Sequence, residues 1–173
     1  MTYAIAPWTA ADRAAVIELI VAIQQGEFGL SITADDQPDL SDVRGHYRDG
    51  GGEFWVGRGP DGDVVGTIAL INIGDGVGVL RKMFVHVDHR GGTGLAGQLM
   101  QTATSWAVEH GFHQIVLGTT DRMLGAHRFY RKHGFQQIAE DTLPARFPRM
   151  AVDSVFFSRD LTANADVWSI DPR

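Results

Sequence analysis

The sequence predicts an α/β (α+β) protein built on a mixed, mostly antiparallel twisted sheet of six or seven strands with helices on both faces. Short apolar segments separated by glycine turns occupy the chain up to about residue 78 and indicate an antiparallel meander. Between Gly78 and Phe135, strands and amphipathic helices alternate, which is typical of crossover connections in a sheet.

The first half of the chain predicts one strand, two helices and a hairpin. Thr9 and Asp12 have the spacing of a capping box, and the apolar residues that follow recur at helical spacing. Gly26 is expected to end this first helix, and Pro38 is expected to fall in a polar loop. In chain order the predicted elements are a strand at 3–6, a helix at 9–26, a short helix at 39–48, and hairpin strands at 54–57 and 64–71.

The second half predicts a strand, a glycine loop, a helix, and then further strands and one more helix. Gly111 and Gly134 lie where glycine often stands, just past a helix end. Two prolines between residues 142 and 150 predict a loop there. The predicted elements are a strand at 79–87, a loop at 90–97, a helix at 95–110, a strand at 115–117, a helix at 126–133, and strands at 136–138 and 152–157.

Length and composition favour one ordinary globular domain. The chain of 173 residues is predicted to form a single domain, with residues 1–160 as its core and residues 161–173 as a C-terminal tail. A formal net charge of −6 argues against nucleic acid as a partner. The absence of cysteine excludes disulfides and a cysteine nucleophile. We expect a cytoplasmic protein without a membrane span, and a homodimer is left open.

The segment from Arg90 to Gly97 has the composition of an anion-binding loop. Glycines let the backbone approach a ligand, and the start of the following helix offers unpaired N–H groups and partial positive charge. Arg90 could add donors for phosphate oxygens. A glycine-rich turn without a ligand is the plainer alternative. A dinucleotide fingerprint at 92–97, with Asp121 beyond it, is disfavoured because the four residues 88–91 separate it from the preceding strand.

Two motifs in this half resemble a known family. The segment at 85–100, VHVDHRGGTGLAGQLM, resembles the acetyl-CoA motif of the GNAT N-acetyltransferase superfamily. The segment at 126–135, AHRFYRKHGF, resembles the later A-x-x-F-Y-x-K-x-G-F signature of that family. The resemblance covers residues 64–135 well, and the flanks fit by the order of their elements.

The resemblance implies the GNAT-like acyl-CoA N-acyltransferase fold, with acetyl-CoA as cosubstrate and no metal. It implies that backbone groups of Met83, Phe84 and Val85 hold the pantetheine and acetyl group, while Tyr130 acts as general acid toward the CoA sulfur. Tyr130 could instead be an ordinary core residue. The residues expected at the pyrophosphate are Arg90, Gly91, Gly92, Thr93, Gly94, Leu95 and Ala96.

This chain departs from the family pattern at several positions. Val87 replaces a frequent proline, the glycine loop is one residue longer, and Met123 replaces a frequent asparagine. Arg81 and Lys82 precede the loop, without the glutamate that serves some members as general base. The base is therefore unassigned among Glu27, Asp35, Asp36, His86 and Asp121. The histidine pairs at 86 and 89 and at 110 and 113 lack a facing carboxylate, so they predict no metal site.

The sequence therefore predicts an N-acetyltransferase that moves the acetyl group of acetyl-CoA to a primary amine by direct attack in a ternary complex. The acceptor is a small molecule or a protein amine. The alternative is a noncatalytic acyl-CoA-binding or regulatory domain on the same fold.

Overall fold

The structure is a computed structural model that describes residues 2–162; the predicted tail, including Trp168 and Ile170, lies almost entirely outside these residues. The strands are β1 Ala4–Pro7, β2 Glu53–Arg58, β3 Val64–Asn72, β4 Val77–Val85, β5 Gln114–Thr119, β6 Gln136–Ile138 and β7 Val155–Asp160. The α-helices are α1 Arg13–Ala22, α2 Pro38–Ser41, α3 Leu95–Glu109 and α4 Leu124–Lys132.

The strands form one seven-stranded sheet in the order β1-β2-β3-β4-β5-β7-β6. Strands β1 with β2, β2 with β3, β5 with β7, and β6 with β7 pair antiparallel, whereas β4 and β5 pair in parallel. The predicted mixed, mostly antiparallel sheet is therefore confirmed. No helix between residues 2 and 162 has the length and apolar character needed to cross a bilayer.

The chain separates into two compact units. The first contains Met1–Ile71 and Leu80–Ala103, and the second contains Asn72–Val79 and the chain from Thr104 onward. The single-domain organisation stays a prediction from the sequence.

Helices cover both faces of strands β2 and β3 in the first unit. On one face, residues of α1, α2 and the two strands form an apolar cluster with Val16, Ile20, Leu40, Phe54, Val56 and Ala69 among its members. On the other face, Gly57 and Gly66 stand opposite each other. A Cβ added at Gly66 would lie 2.9 Å from Leu99 and 3.2 Å from Leu95 of α3, so the absence of side chains here lets the helix approach the sheet.

The second unit packs α4 against strands β6 and β7. The ring of Tyr130 has its centroid 5.7 Å from that of Phe135 and 5.8 Å from that of Phe157. His127 is buried beside them, with its Nε2 atom 2.9 Å from the Thr120 carbonyl oxygen. These contacts fix the helix that carries Tyr130.

Several predicted boundaries are wrong. Gly26 does not end the first helix, because a π-helical segment at Ile23–Glu27 continues through it. A second π-helical segment, Arg44–Arg48, replaces most of the predicted helix at 39–48, and Pro38 begins α2 rather than lying in a loop. Pro7 belongs to β1, where its missing N–H is tolerated because β1 is an edge strand.

Two strands also end or begin elsewhere than predicted. Strand β4 ends at Val85, because the His86 ring accepts a hydrogen bond from the Asp88 amide at 3.1 Å and a 3-10 turn follows. The last strand starts at Val155 rather than at residue 152. The Asp153 carboxylate accepts a hydrogen bond from the Met150 amide at 2.9 Å and holds a turn at that point.

Candidate active site

The loop between β4 and α3 has the open backbone that the sequence predicts. Gly91 and Gly94 have φ angles of +76° and +82°, a region that side chains other than glycine rarely adopt. A Cβ added at Gly91 or Gly92 would have no atom within 4 Å. The loop therefore leaves space directly beside its backbone.

The amides of this loop point to few partners within the protein. The N–H groups of Gly91, Gly92 and Gly94 donate no hydrogen bond to any described residue. At the start of α3, the N–H groups of Ala96 and Gly97 have no carbonyl one turn earlier in the helix. This row of donors at the positive end of a helix of 15 residues is suited to an anion.

Thr93 and Leu95 shape the loop from within. The Thr93 hydroxyl donates to the His89 carbonyl oxygen at 2.6 Å and lies 3.5 Å from the Leu95 amide nitrogen. Leu95 is fully buried and is the first residue of α3. Both residues thus support the loop rather than presenting their side chains to a ligand.

The guanidinium of Arg90 is engaged by the protein itself. Its Nη1 and Nη2 atoms donate to the two carboxylate oxygens of Glu27 at 2.5 and 2.7 Å. Its Nε donates to the Val85 carbonyl oxygen at 2.7 Å. Arg90 therefore ties the loop to the π-helical segment after α1 and to the end of β4.

The candidate bases have different surroundings. Glu27 and His86 line one cavity of about 480 Å³ beside α1, although both oxygens of Glu27 already accept hydrogen bonds from Arg90. Hydrogen bonds from the amide and hydroxyl of Thr33 lower the pKa of exposed Asp36, which weakens it as a base. Asp35 and Asp121 are exposed loop residues.

The proposed thioester-holding residues lie in the second half of β4. Met83 and Phe84 are half-buried, and Val85 is buried. The register of β4 with β5 covers only Val77–Val79, so it does not use the backbone of these three residues.

Lys82, which precedes them, is a feature that the sequence pattern did not identify as functional. Its φ angle of +53° is left-handed, and its ammonium lies 3.5 Å from the Asp39 carboxylate. A charged residue within an apolar strand was the available signal.

Tyr130 is buried, with 6% of its surface exposed. No described residue forms a hydrogen bond to its hydroxyl. Burial raises the pKa of Tyr130 above its ordinary value of 10.0, so the phenol stays protonated at physiological pH. It can therefore donate a hydrogen bond, and it also has the ring contacts of a core residue.

The described residues form no candidate metal site. Among residues 2–162, no group of three or more histidine and acidic side chains is arranged to hold one. His86 and His89 instead stack edge to face, with ring centroids 5.9 Å apart, and Nδ1 of His89 lies 3.0 Å from the Tyr3 hydroxyl.

Comparisons with known proteins found similar sequences and structures. The family model described as "Acetyltransferase (GNAT) family" matches residues 17–135. An acetyltransferase of the GNAT family from Staphylococcus aureus Mu50 is 33% identical, with a TM-score of 0.89 over 92% of this chain and 99% of that one. A Salmonella typhimurium protein solved with its cofactor acetyl-CoA has a TM-score of 0.68 at 22% identity over 93% and 95% of the chains, which shows the fold alone.

The curated relatives are longer proteins. The N-acetylaspartate synthetase of Xenopus tropicalis is 36% identical over 102 residues, which are 58% of this chain and 37% of that protein. The chain spans less than half the length of the curated relatives it matches, including the N-acetylaspartate synthetase of Danio rerio.

Proposed function

Because the chain belongs to the GNAT family of acetyltransferases, we propose that it transfers the acetyl group of acetyl-CoA to a primary amine. The observation that carries this proposal is the open glycine loop between β4 and α3, in which the amides of Gly91, Gly92 and Gly94 donate to no described residue. The amine belongs to a small molecule or to a protein.

The pyrophosphate of CoA would be bound by the backbone of residues 91–96. The free space at Gly91 and Gly92 fits an anion at hydrogen-bond distance from the amides. The left-handed glycines keep this backbone open. Arg90 contributes mainly by holding the loop, because its donors already reach Glu27 and Val85.

The pantetheine and acetyl group would lie along β4, at the backbone of Met83, Phe84 and Val85. These residues lie beyond the part of β4 that pairs with β5, so their backbone N–H and C=O groups are not used in this pairing. A backbone N–H there can donate to the carbonyl oxygen as it gains negative charge.

The proposed reaction is a direct transfer. The neutral amine nitrogen forms a bond to the thioester carbon, and the carbon–sulfur bond breaks. The amine loses one proton, and the CoA sulfur leaves as a thiol that carries one proton. Tyr130 is proposed to stabilise the departing sulfur. A thiol has a pKa of about 8.5, so a phenol of raised pKa donates a hydrogen bond to the thiolate more readily than it surrenders its proton.

The alternative function is a binding module without turnover. The lack of a family glutamate in β4 and the engagement of Glu27 by Arg90 favour it, because a carboxylate that already accepts two hydrogen bonds is a weaker base for the amine. The relatives include the N-acetylaspartate synthetases of Xenopus tropicalis and Danio rerio, so amino acids are the first acceptors to test. The cytoplasmic location and the homodimer stay predictions.

Release of free CoA thiol across a panel of amines tests the function. An enzyme releases thiol in proportion to the acetylated amine. When both substrates are varied, the initial-rate plots of a direct transfer intersect, whereas parallel lines would contradict direct transfer. Calorimetry with CoA tests the site: Gly94→Asp places a carboxylate beside the proposed phosphates and should weaken binding by at least about tenfold. Binding without thiol release from any amine would support the module instead.

A further inference from the structure

The ammonium of Lys82 is buried within β4 on a strained backbone. The side chain is 9% exposed, and the φ angle of +53° is rare for a residue other than glycine. The carbonyl oxygen of Lys82 accepts a hydrogen bond from the Thr67 hydroxyl at 2.6 Å, which holds this conformation. Strain of this kind is concentrated at functional positions, so the role of the side chain calls for an explanation.

The hydrogen bonds of this ammonium are incomplete. Its Nζ donates to Gln37 Oε1 at 2.5 Å, and Gln37 is itself held by two hydrogen bonds with the buried side chain of Gln24. The Asp39 carboxylate is 3.5 Å away, which is an ion pair but too long for a strong hydrogen bond. An ammonium has three N–H donors, so after Gln37 and the more distant Asp39 oxygen one of them has no acceptor among the described residues.

The Asp39 carboxylate is shared between two donors. The nearest Asp39 oxygen already accepts a hydrogen bond from the Tyr47 hydroxyl at 2.6 Å. Burial, the largest cause, lowers the pKa of Lys82; Asp39 opposes this shift, and Arg81 makes a smaller contribution in the same direction as burial. An anion beside Lys82 would therefore accept a hydrogen bond from the remaining N–H of the ammonium and stabilise its charged form.

The position of the cluster indicates which anion this is. Lys82 precedes Met83 directly in the chain, and the backbone of residues 83–85 is the proposed holder of the thioester. The side chains of Lys82 and Asp39 are 9% and 21% exposed, so both retain some contact with solvent. A carboxylate bound there would leave an amine, a few carbon atoms away, within reach of the acetyl group.

We propose that Lys82 is the acceptor-recognition residue and binds the carboxylate of a small acceptor that carries both a primary amine and a carboxylate. This inference rests on the proposed acetyl transfer. Gln37 and Asp39 position the ammonium, and the acceptor carboxylate completes its hydrogen bonds. Protein amines, which lack a carboxylate at this distance, would be poor acceptors.

Binding can be measured without turnover, because Lys82 and Lys132 are the only lysines of the chain. Protein labelled with carbon-13 lysine gives two side-chain signals in NMR, which Lys82→Met and Lys132→Met assign. In the presence of CoA, titration with β-alanine, 4-aminobutyrate or L-aspartate should shift the Lys82 signal saturably. The matching carboxamides should not shift it, and Lys132, which is exposed in α4, should not respond to any of them. Absence of a saturable Lys82 shift with every carboxylate would overturn the inference.

Turnover supplies the second test. Lys82→Met should lower kcat/KM for carboxylate-bearing acceptors by at least about tenfold, leave the carboxamides within about twofold, and keep CoA affinity unchanged. Lys82→Arg should retain part of the preference, and Lys132→Met should behave like the parent. An equal loss with both kinds of acceptor would mean that Lys82 only holds the strand, and would refute the inference.

The two proposals can fail separately. If the parent protein releases no thiol with any amine but Lys82 still binds the carboxylates, acetyl transfer is refuted and carboxylate recognition stands. If Lys82→Met does not fold, the titration of the parent protein decides alone. Turnover of carboxamides at the same kcat/KM as the carboxylates would refute the recognition and leave the transfer intact.

Discussion

Replacing Tyr130 by phenylalanine should separate catalysis from stability. The change keeps the ring and its contacts with Phe135 and Phe157, and removes only the hydroxyl. If this hydroxyl donates to the sulfur of departing CoA, its loss removes a hydrogen bond to a charged atom, about 1.5–3 kcal/mol. We therefore expect kcat to fall by roughly 10- to 150-fold, with little change in CoA affinity.

The structure predicts that Tyr130→Phe does not lower the stability of the fold. The hydroxyl forms no hydrogen bond with a described residue, so its removal breaks none there. Tyr130 keeps 6% of its surface exposed, so removal of the hydroxyl should leave the melting temperature nearly unchanged. A variant that is slower but no less stable is the expected result.

Steady-state thiol release and a thermal melt of the same sample check this. Tyr3→Phe is the matched control, because it also removes one tyrosine hydroxyl, the one that lies 3.0 Å from His89 Nδ1. The raised pKa of Tyr130 further predicts that its ionisation does not limit the rate below about pH 10. A rate within twofold of the parent would refute the catalytic role and leave Tyr130 as a core residue.

Three further changes test the architecture. Arg90→Met should lower the melting temperature by a few degrees, because an ion pair exposed to this degree contributes about 0.5–1 kcal/mol. It should weaken CoA binding only several-fold. A loss of CoA affinity above about 30-fold in calorimetry would mean that the guanidinium binds phosphate. Gly66→Ala should destabilise by about 1–3 kcal/mol in denaturant unfolding, because its Cβ would lie 2.9 Å from Leu99; an unchanged midpoint would contradict this packing. Asp12→Asn should destabilise by about 1–2 kcal/mol at pH 7. Burial raises the pKa of Asp12, but hydrogen bonds from Thr9 and Arg58 lower it below 3.8 overall. The stabilisation by the ionised carboxylate is therefore present above pH 3.8 and is lost as the pH falls through the folded-state pKa. A difference in stability between parent and variant that stays constant down to pH 2 would contradict this.

The strand–loop–helix unit could be predicted from sequence because its signals are local. The Gly91 and Gly94 backbone needs glycine, and the apolar spacing of α3 is regular. The element types and order that follow were equally readable, up to shifts of a few residues at strand ends. These shifts occur where side chains such as Asp153 hydrogen-bond to nearby backbone, a choice that apolar periodicity does not report.

The charged contacts could not be predicted because they join distant parts of the chain. Arg90 and Glu27 are 63 residues apart, and Lys82 and Gln37 are 45 apart. Arg90 therefore suggested a phosphate ligand by composition, whereas its donors reach a carboxylate and a carbonyl. The π-helical turn at Ile23–Glu27, which carries Glu27 to this position, also has no sequence pattern that distinguishes it from an α-helix.

The facing glycines of β2 and β3 have a consequence for the entropy of ligand binding. Leu95, the first residue of α3, packs over Gly57 and Gly66, where a Cβ would lie 2.9 and 3.2 Å from its side chain. The helix is therefore held against the sheet at its first turn, next to the glycine loop. An anion arriving there meets donors that are already fixed and loses less free energy to ordering them. A side chain at either glycine would push the first turn away from the sheet, and would therefore weaken the anion binding proposed for the loop without contacting the loop itself.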